Sequence, residues 1–213
     1  MKRLLTLMTL AAASLLTGCA TQVAKTDLSA FEAAKPRSIL VVPAANKSVD
    51  VDAPNYLLTT LTVPLAEKGF YVFPVHTAKT VLEQEGLYEG EQIHQQPPAH
   101  LAQMFGADAV LYVTINQWDA KYVLLSTTVT VDFDYKLVYK DGTELWRANK
   151  RMQYTPQQNQ NAGSPLASLI AAAVTAAIER AAPNYMPLTQ MANNDVFVHG
   201  PTAIPNGPYR KVQ

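Results

Sequence analysis

The sequence predicts an α/β (α+β) domain in which helices pack on a mixed sheet of about five strands, with a long antiparallel hairpin in the C-terminal half. Three observations predict it. Ile39, Leu40, Val41 and Val42 form an unbroken apolar run ended by Pro43, the pattern of a strand covered on both faces. A stretch at helical spacing and a second apolar run, Phe70 to Phe73, come next. Strand, helix, strand in that order implies a parallel pair joined by a right-handed crossover. Residues 122–139 then alternate apolar with polar, and Asp141-Gly142 supplies a tight turn that sends the chain back.

In chain order, residues 1–18 stand outside this domain. Lys2 and Arg3 precede an apolar run that ends in Leu16-Thr17-Gly18-Cys19. The run is shorter than the roughly 20 apolar residues a membrane-spanning helix needs, and its basic start and small-residue exit fit a cleaved export signal. The stretch resembles a bacterial lipoprotein signal peptide with its lipobox. That resemblance implies that Cys19 becomes the first mature residue and carries lipid, and that Ala20 after it directs the protein to the outer membrane. Each buried acyl methylene contributes about 0.8 kcal/mol, so several chains anchor a protein without spanning the bilayer. Cys19 is the chain's single cysteine, which excludes an internal disulfide. Loss of Lys2 and Arg3 leaves 15 basic and 17 acidic side chains, a net charge of −2. There is no basic field for nucleic acid or anionic lipid.

Residues 19–37 read as a lipidated tether, with a helical turn around Leu28 to Ala34 as the alternative. Extended, they would reach roughly 50 to 60 Å at about 3.3 Å per residue. Residues 38–182 read as the single α/β domain. After the first strand, residues 46–52 look like a polar loop, and Leu57, Leu58, Leu61 and Leu65 mark a helix that Pro64 bends and Gly69 ends. A second short strand covers 70–74. Residues 77–85 predict a helix stopped by Gly86, and Pro97-Pro98 opens another that ends at Gly106.

The third strand is expected at 109–118 and a long one at 122–139. On the latter, Val123, Leu125, Val129, Val131, Phe133, Tyr135 and Leu137 share the core face. Ser126, Thr128, Thr130, Asp132, Asp134 and Lys136 share the face toward water. Residues 143–154 return with Trp146, Ala148, Met152 and Tyr154 inward, and Lys150 on that face suggests a bulge or strand end. Residues 157–163 read as a polar loop. Ser164-Pro165 caps a helix to about residue 181, with Leu166, Leu169, Ile170 and Val174 on its buried stripe. Prolines dominate 183–213, which reads as an arm with one edge strand at Val196-Phe197-Val198.

Chemistry-bearing patterns are scarce. His76, His94, His100 and His199 lack metal-ligand spacing, and there is no nucleophile elbow or phosphate loop. Asp132 and Asp134 lie roughly 7 Å apart along one strand face. That spacing permits a carboxylate pair, but the neighbouring threonines and lysine favour a solvated strand face. No catalytic residue, metal or cofactor is expected. Trp118, Tyr122, Trp146 and Tyr154 gather near the hairpin, where core packing is the plain explanation.

Leu16-Thr17-Gly18-Cys19, Ile39-Leu40-Val41-Val42-Pro43, the run from Pro64 to Val75 and the run from Phe105 to Val113 together resemble a Gram-negative lipoprotein family without an assigned function. The resemblance covers most of the mature chain. It implies a fold related to the amino-terminal domain of the Tol-system propeller protein and to lipoproteins of the curli-secretion and penicillin-binding-protein-activator types. It also implies an envelope complex with other lipoproteins or a curli-channel-like protein, homo-oligomers being open, and it carries over no catalytic residue. The reading is therefore a lipid-anchored scaffold at the periplasmic face of the outer membrane, surface exposure remaining open. Its partner surface would be Thr128, Thr130, Asp132, Asp134 and Lys136, with a free sheet edge and the proline-rich arm. The alternatives are an envelope hydrolase using Asp132 and Asp134, and a carrier of lipid or another apolar ligand.

Overall fold

The computed structural model describes residues 27–123, 126–154 and 185–210. Helix α1 (Ser29–Ala34) leads into strand β1 (Ser38–Val41), and β2 (Ala45–Asn46) continues its line beyond Pro43. Helix α2 (Ala53–Glu67), strand β3 (Tyr71–Val72) and helices α3 (Val75–Gln84), α4 (Gly90–His94) and α5 (Pro98–Phe105) follow. Three long strands come next, β4 (Ala109–Val123), β5 (Ser126–Tyr139) and β6 (Glu144–Tyr154). Helix α6 (Met186–Asn194) and a π-helical turn, Asp195–His199, lead into the C-terminal arm.

The sheet runs β3-β1-β4-β5-β6, with β2 also pairing β4. Its β1 pairs are parallel, as are those of β2 with β4, and the β4-β5-β6 meander is antiparallel. This is the mixed α/β sheet expected, with the long hairpin in the C-terminal half. Burial of β1 on both faces explains its unbroken apolar run. Ile39 and Val41 join a core with Leu57, Leu61 and Leu65 of α2. Leu40 and Val42 join a second with Leu82, Ile93 and Leu101 of α3, α4 and α5. Helices thus cover both faces of the sheet at β1, while over β5 the second core reaches only Val138.

Several elements differ from expectation. From Ser29 on the tether reading gives way to its alternative, the helical turn, with Phe31 buried in the first core and Lys35 ending the helix in the left-handed region at φ 44°. The loop after Pro43 opens with β2, whose pairs Ala45–Thr114 and Asn46–Ile115 satisfy backbone that the sequence left unassigned. Strand β4 runs five residues past Trp118, and β5 starts at Ser126. The chain therefore reverses between Val123 and Ser126, where a continuous strand was expected. Apolar Leu124-Leu125 lacks turn chemistry, which is why the reversal is invisible in sequence.

Lys150 does not break β6, which pairs through to Tyr154. The Lys150 amine stays on the core face and pairs there with Asp195 of the π-helical turn. The irregularity lies instead at Leu137/Val138, opposite Leu145. In the arm, Val196-Phe197-Val198 is π-helical, not an edge strand, and Met186–Asn194 is helical where no regular element was expected. Pro187 sits in the first turn, where its missing N–H costs no intrahelical hydrogen bond. Phe197 and Ile204 are fully buried in the first core, so the arm is part of the domain. The helix expected at 164–181 and the loop at 157–163 lie outside the described residues.

The core rows match the alternation read from sequence. Val129, Val131, Phe133, Tyr135 and Leu137 are all completely buried. Trp118, Phe133, Tyr135 and Trp146 make a row of rings with centroids 6.1 to 6.5 Å apart. Phe197 closes on Tyr135 at 5.3 Å. Such contacts contribute beyond area burial, about 0.5 to 1.5 kcal/mol each.

Candidate functional site

The polar face of the β4-β5-β6 meander is the region richest in chemistry. Cross-strand register places Asp134 between Thr114 and Asn149, Asp132 between Gln117 and Arg151, and Lys136 between Tyr112 and Arg147. A β-bulge between Ile115 and Gln117 leaves Asn116 outside the ladder. Its amide thereby reaches two carboxylates at once, donating to Asp134 Oδ2 at 2.6 Å and to Asp132 Oδ1 at 3.5 Å. Asn149, from the strand on the other side, donates to the same pair at 2.8 and 3.1 Å.

Two amides thus bind Asp132 and Asp134 from either flank. Partial burial pushes the Asp134 carboxyl upward. Hydrogen bonds from Asn116 and Asn149, with the charges of Lys47 and Arg147, outweigh that and hold it below the usual value. Asp134 is therefore ionised at neutral pH, which suits a fixed acceptor and not a general acid. Arg151 stands 3.9 Å from Asp132 at the rim.

Of the residues singled out from sequence, Asp134 and Lys136 are exposed, and Thr128 and Asp132 are half-buried. Thr130 corrects the expectation. It is 3% exposed, with Gln153 of β6 donating to its hydroxyl at 3.3 Å, so it offers no open surface. Cys19 lies outside the described residues. Asn116, Arg147, Asn149 and Arg151 were not singled out. The inward alternation of Trp146, Ala148 and Met152 carried the signal for the three on β6, because it puts them on the opposite face of the strand. Nothing local signals the bulge that brings Asn116 to the two carboxylates.

Toward the helices the face ends in a cleft of about 260 Å³ lined by His94, Tyr112, Thr114, Asp134, Lys136 and Arg147. The His94 ring meets Tyr112 edge-on at 5.1 Å, and its Nε2–H donates to the Pro43 carbonyl at 3.1 Å. Burial pushes His94 down, against the pull of that carbonyl, so the ring is neutral at pH 7. Burial also pushes the Tyr112 hydroxyl up to about 12. Among the described residues no group of three or more His, Cys, Asp or Glu side chains could hold a metal ion. No described helix is long and apolar enough to cross a membrane.

Comparison with known proteins agrees with the family resemblance. The chain is 38% identical over 167 residues to "Putative lipoprotein NMB1124/NMB1162" of Neisseria meningitidis serogroup B, spanning 78% of this chain and 77% of that one. The crystal structure of lipoprotein GNA1162 from Neisseria meningitidis is 36% identical, with a TM-score of 0.56 over 68% of this chain and 99% of that chain. The PelC dodecamer from Paraburkholderia phytofirmans is 18% identical, with a TM-score of 0.42 over 72% of this chain and 90% of that chain. The family model described as "Putative lipoprotein GNA1162-like" matches residues 26–209, and the chain belongs to that family.

Proposed function

We propose that the protein is a lipid-anchored component of an envelope complex, held through Cys19 at the periplasmic face of the outer membrane, where it binds another protein. The observation that carries this reading is the water-facing side of the meander. Asp132, Asp134, Lys136, Arg147, Asn149 and Arg151 stand on one rigid three-stranded platform, with the two carboxylates already fixed by Asn116 and Asn149. Such a platform presents charges in set positions without paying for their ordering on contact. Family membership and the lipobox support the anchor.

The hydrolase alternative is disfavoured by the same geometry. A carboxylate pair working as acid and base needs environments that push the two pKa values apart, with one raised. Here shared amide donors serve both, and Asp134 is lowered. Replacing Asp132 and Asp134 together with asparagine separates the readings. Loss of every cellular role with partner capture intact would favour catalysis.

The direct test is cross-linking of intact cells followed by capture of the protein, compared with Cys19→Ser. A specific envelope partner recovered with the intact protein and lost with the variant is expected. Recovery of no specific partner with either would sink the reading.

A further inference from the structure

Strand β6 lies at the edge of the sheet, and among the described residues it pairs with β5 alone. From Arg147 to Gln153 it holds no proline or glycine, and its register with β5 has no shift. Among the described residues, no group takes up the regular row of backbone donors and acceptors on its outer side. Such an edge accepts an added strand. Arg147, Asn149, Arg151 and Gln153, whose side chains lie on the polar face beside it, are all exposed.

The cleft over β4 and β5, inward of this edge and reaching β6 at Arg147, adds a charge argument. Lys136 and Arg147 are direct cross-strand partners, and like charges so placed destabilise a sheet unless an anion relieves them. Glu144 takes up Arg147 through two hydrogen bonds of 2.9 and 2.7 Å. Lys136 has no carboxylate within ion-pair distance among the described residues. Its Nζ stands 5.3 Å over the Tyr112 ring, at the mouth of the cleft. The Tyr112 hydroxyl is buried without a hydrogen-bond partner among the described residues. Neutral His94 and the already bonded Asp134 leave Lys136 as the open charge of this cleft.

We propose that the β6 edge and this cleft hold an extended acidic segment of a partner protein, added to the sheet as a strand with one of its carboxylates at Lys136. The inference rests on the protein-binding reading above and names the chemistry of the partner. A second copy paired edge to edge is a poor occupant. Antiparallel pairing of two β6 strands about Asn149, the midpoint of the strand, sets Arg147 against Arg151 on both sides. An acidic segment meets the same cations with opposite charge.

The test uses the full-length chain in detergent and three fluorescent octapeptide probes. One alternates Glu with Val, one alternates Gln with Val, and one alternates Lys with Val. Fluorescence anisotropy at 50 and 300 mM salt reports binding, and amide hydrogen exchange reports where it occurs. The Glu probe should bind at least tenfold more tightly than the other two, weaken with salt and slow exchange in residues 147–153. Lys136→Glu should weaken it at least tenfold, while Lys79→Glu on α3 should leave it unchanged. Binding of the Glu probe without protection of 147–153, or indifference to Lys136→Glu, would overturn the inference. So would displacement of the probe by anionic phospholipid vesicles that themselves leave 147–153 unprotected. Failure of all three probes, with a partner still recovered by cross-linking, would remove this inference and leave the protein-binding reading standing.

Discussion

The Tyr135 hydroxyl donates to Asn193 Oδ1 at 2.7 Å, and the Asn193 amide donates onward to Thr60 Oγ1 at 2.7 Å. Thr60 in turn donates to the Leu57 carbonyl at 2.6 Å. This relay joins β5, α6 and α2 by links that span 58 and 133 residues of the chain, through groups that are 0 to 8% exposed. Burial pushes the Tyr135 hydroxyl well up, with the Asp132 charge adding to it, so it stays a donor at any ordinary pH.

Asn193→Ala should therefore cost about 2 to 3 kcal/mol, because it leaves the tyrosine hydroxyl buried and unpaired and removes the donor that Thr60 Oγ1 accepts from, Thr60 keeping only its bond to the Leu57 carbonyl. Adding Tyr135→Phe to that variant should cost less than Tyr135→Phe costs alone. Urea denaturation of the four proteins measures the cycle, and additive losses would show that the two side chains are not coupled.

The two tryptophans make a second comparison. Trp146 Nε1 donates to the Thr202 carbonyl at 2.9 Å, whereas Trp118 Nε1 is buried without a partner among the described residues. Both are 2% exposed, so Trp→Phe removes similar packing at each site. The change at Trp146 should cost about 1 kcal/mol more, since it also strands a carbonyl of the arm. Thermal melts decide it, and equal losses would contradict the expectation.

Gly69 ends α2 at φ 89°, and a Cβ there would run into the backbone of Arg210. The arm is held at this point by Gly207 N–H to the Lys68 carbonyl at 2.8 Å and Tyr209 N–H to the Gly69 carbonyl at 3.0 Å. Arg210 also donates to the Glu67 carbonyl at 2.6 Å. Gly69→Ala should cost at least about 1 kcal/mol in backbone strain and release the strap. Faster hydrogen exchange at residues 207–210 is the expected sign.

Asp108 gives the pH dependence a direction. Partial burial pushes its carboxyl upward, but the backbone N–H groups of Arg37 and Ser38, and the charge of Lys140, prevail and hold it below the usual value. A depressed carboxyl stabilises the fold above the unfolded-state pKa, about 3.9, and that contribution disappears as pH falls through the folded value. Asp108→Asn should then be less stable than the parent at pH 7, with the gap closing below about pH 4. Urea midpoints at pH 7 and pH 3 check this, and a gap independent of pH would refute it.

Amino-acid order alone determined the α/β class, the two-sided burial of Ile39 to Val42, the core row from Val129 to Leu137 and the Asp141-Gly142 turn. Each is written in near neighbours, through the periodicities of strand and helix and the turn chemistry of glycine. Order did not disclose the reversal after Val123, since apolar residues stand where a turn signal would. It also misled at Val196-Phe197-Val198, whose β-branched run folds as a π-helical turn because the Tyr135 and Trp146 rings receive Phe197. The candidate site was half legible. Asp132, Asp134 and Lys136 were visible on one strand, but their surroundings were not. Only the tertiary structure buried Thr130, brought Asn116 and Asn149 to the carboxylates and set Lys136 beside Arg147. Those meetings depend on cross-strand register, which a single β-bulge shifts, and no local periodicity encodes such a shift.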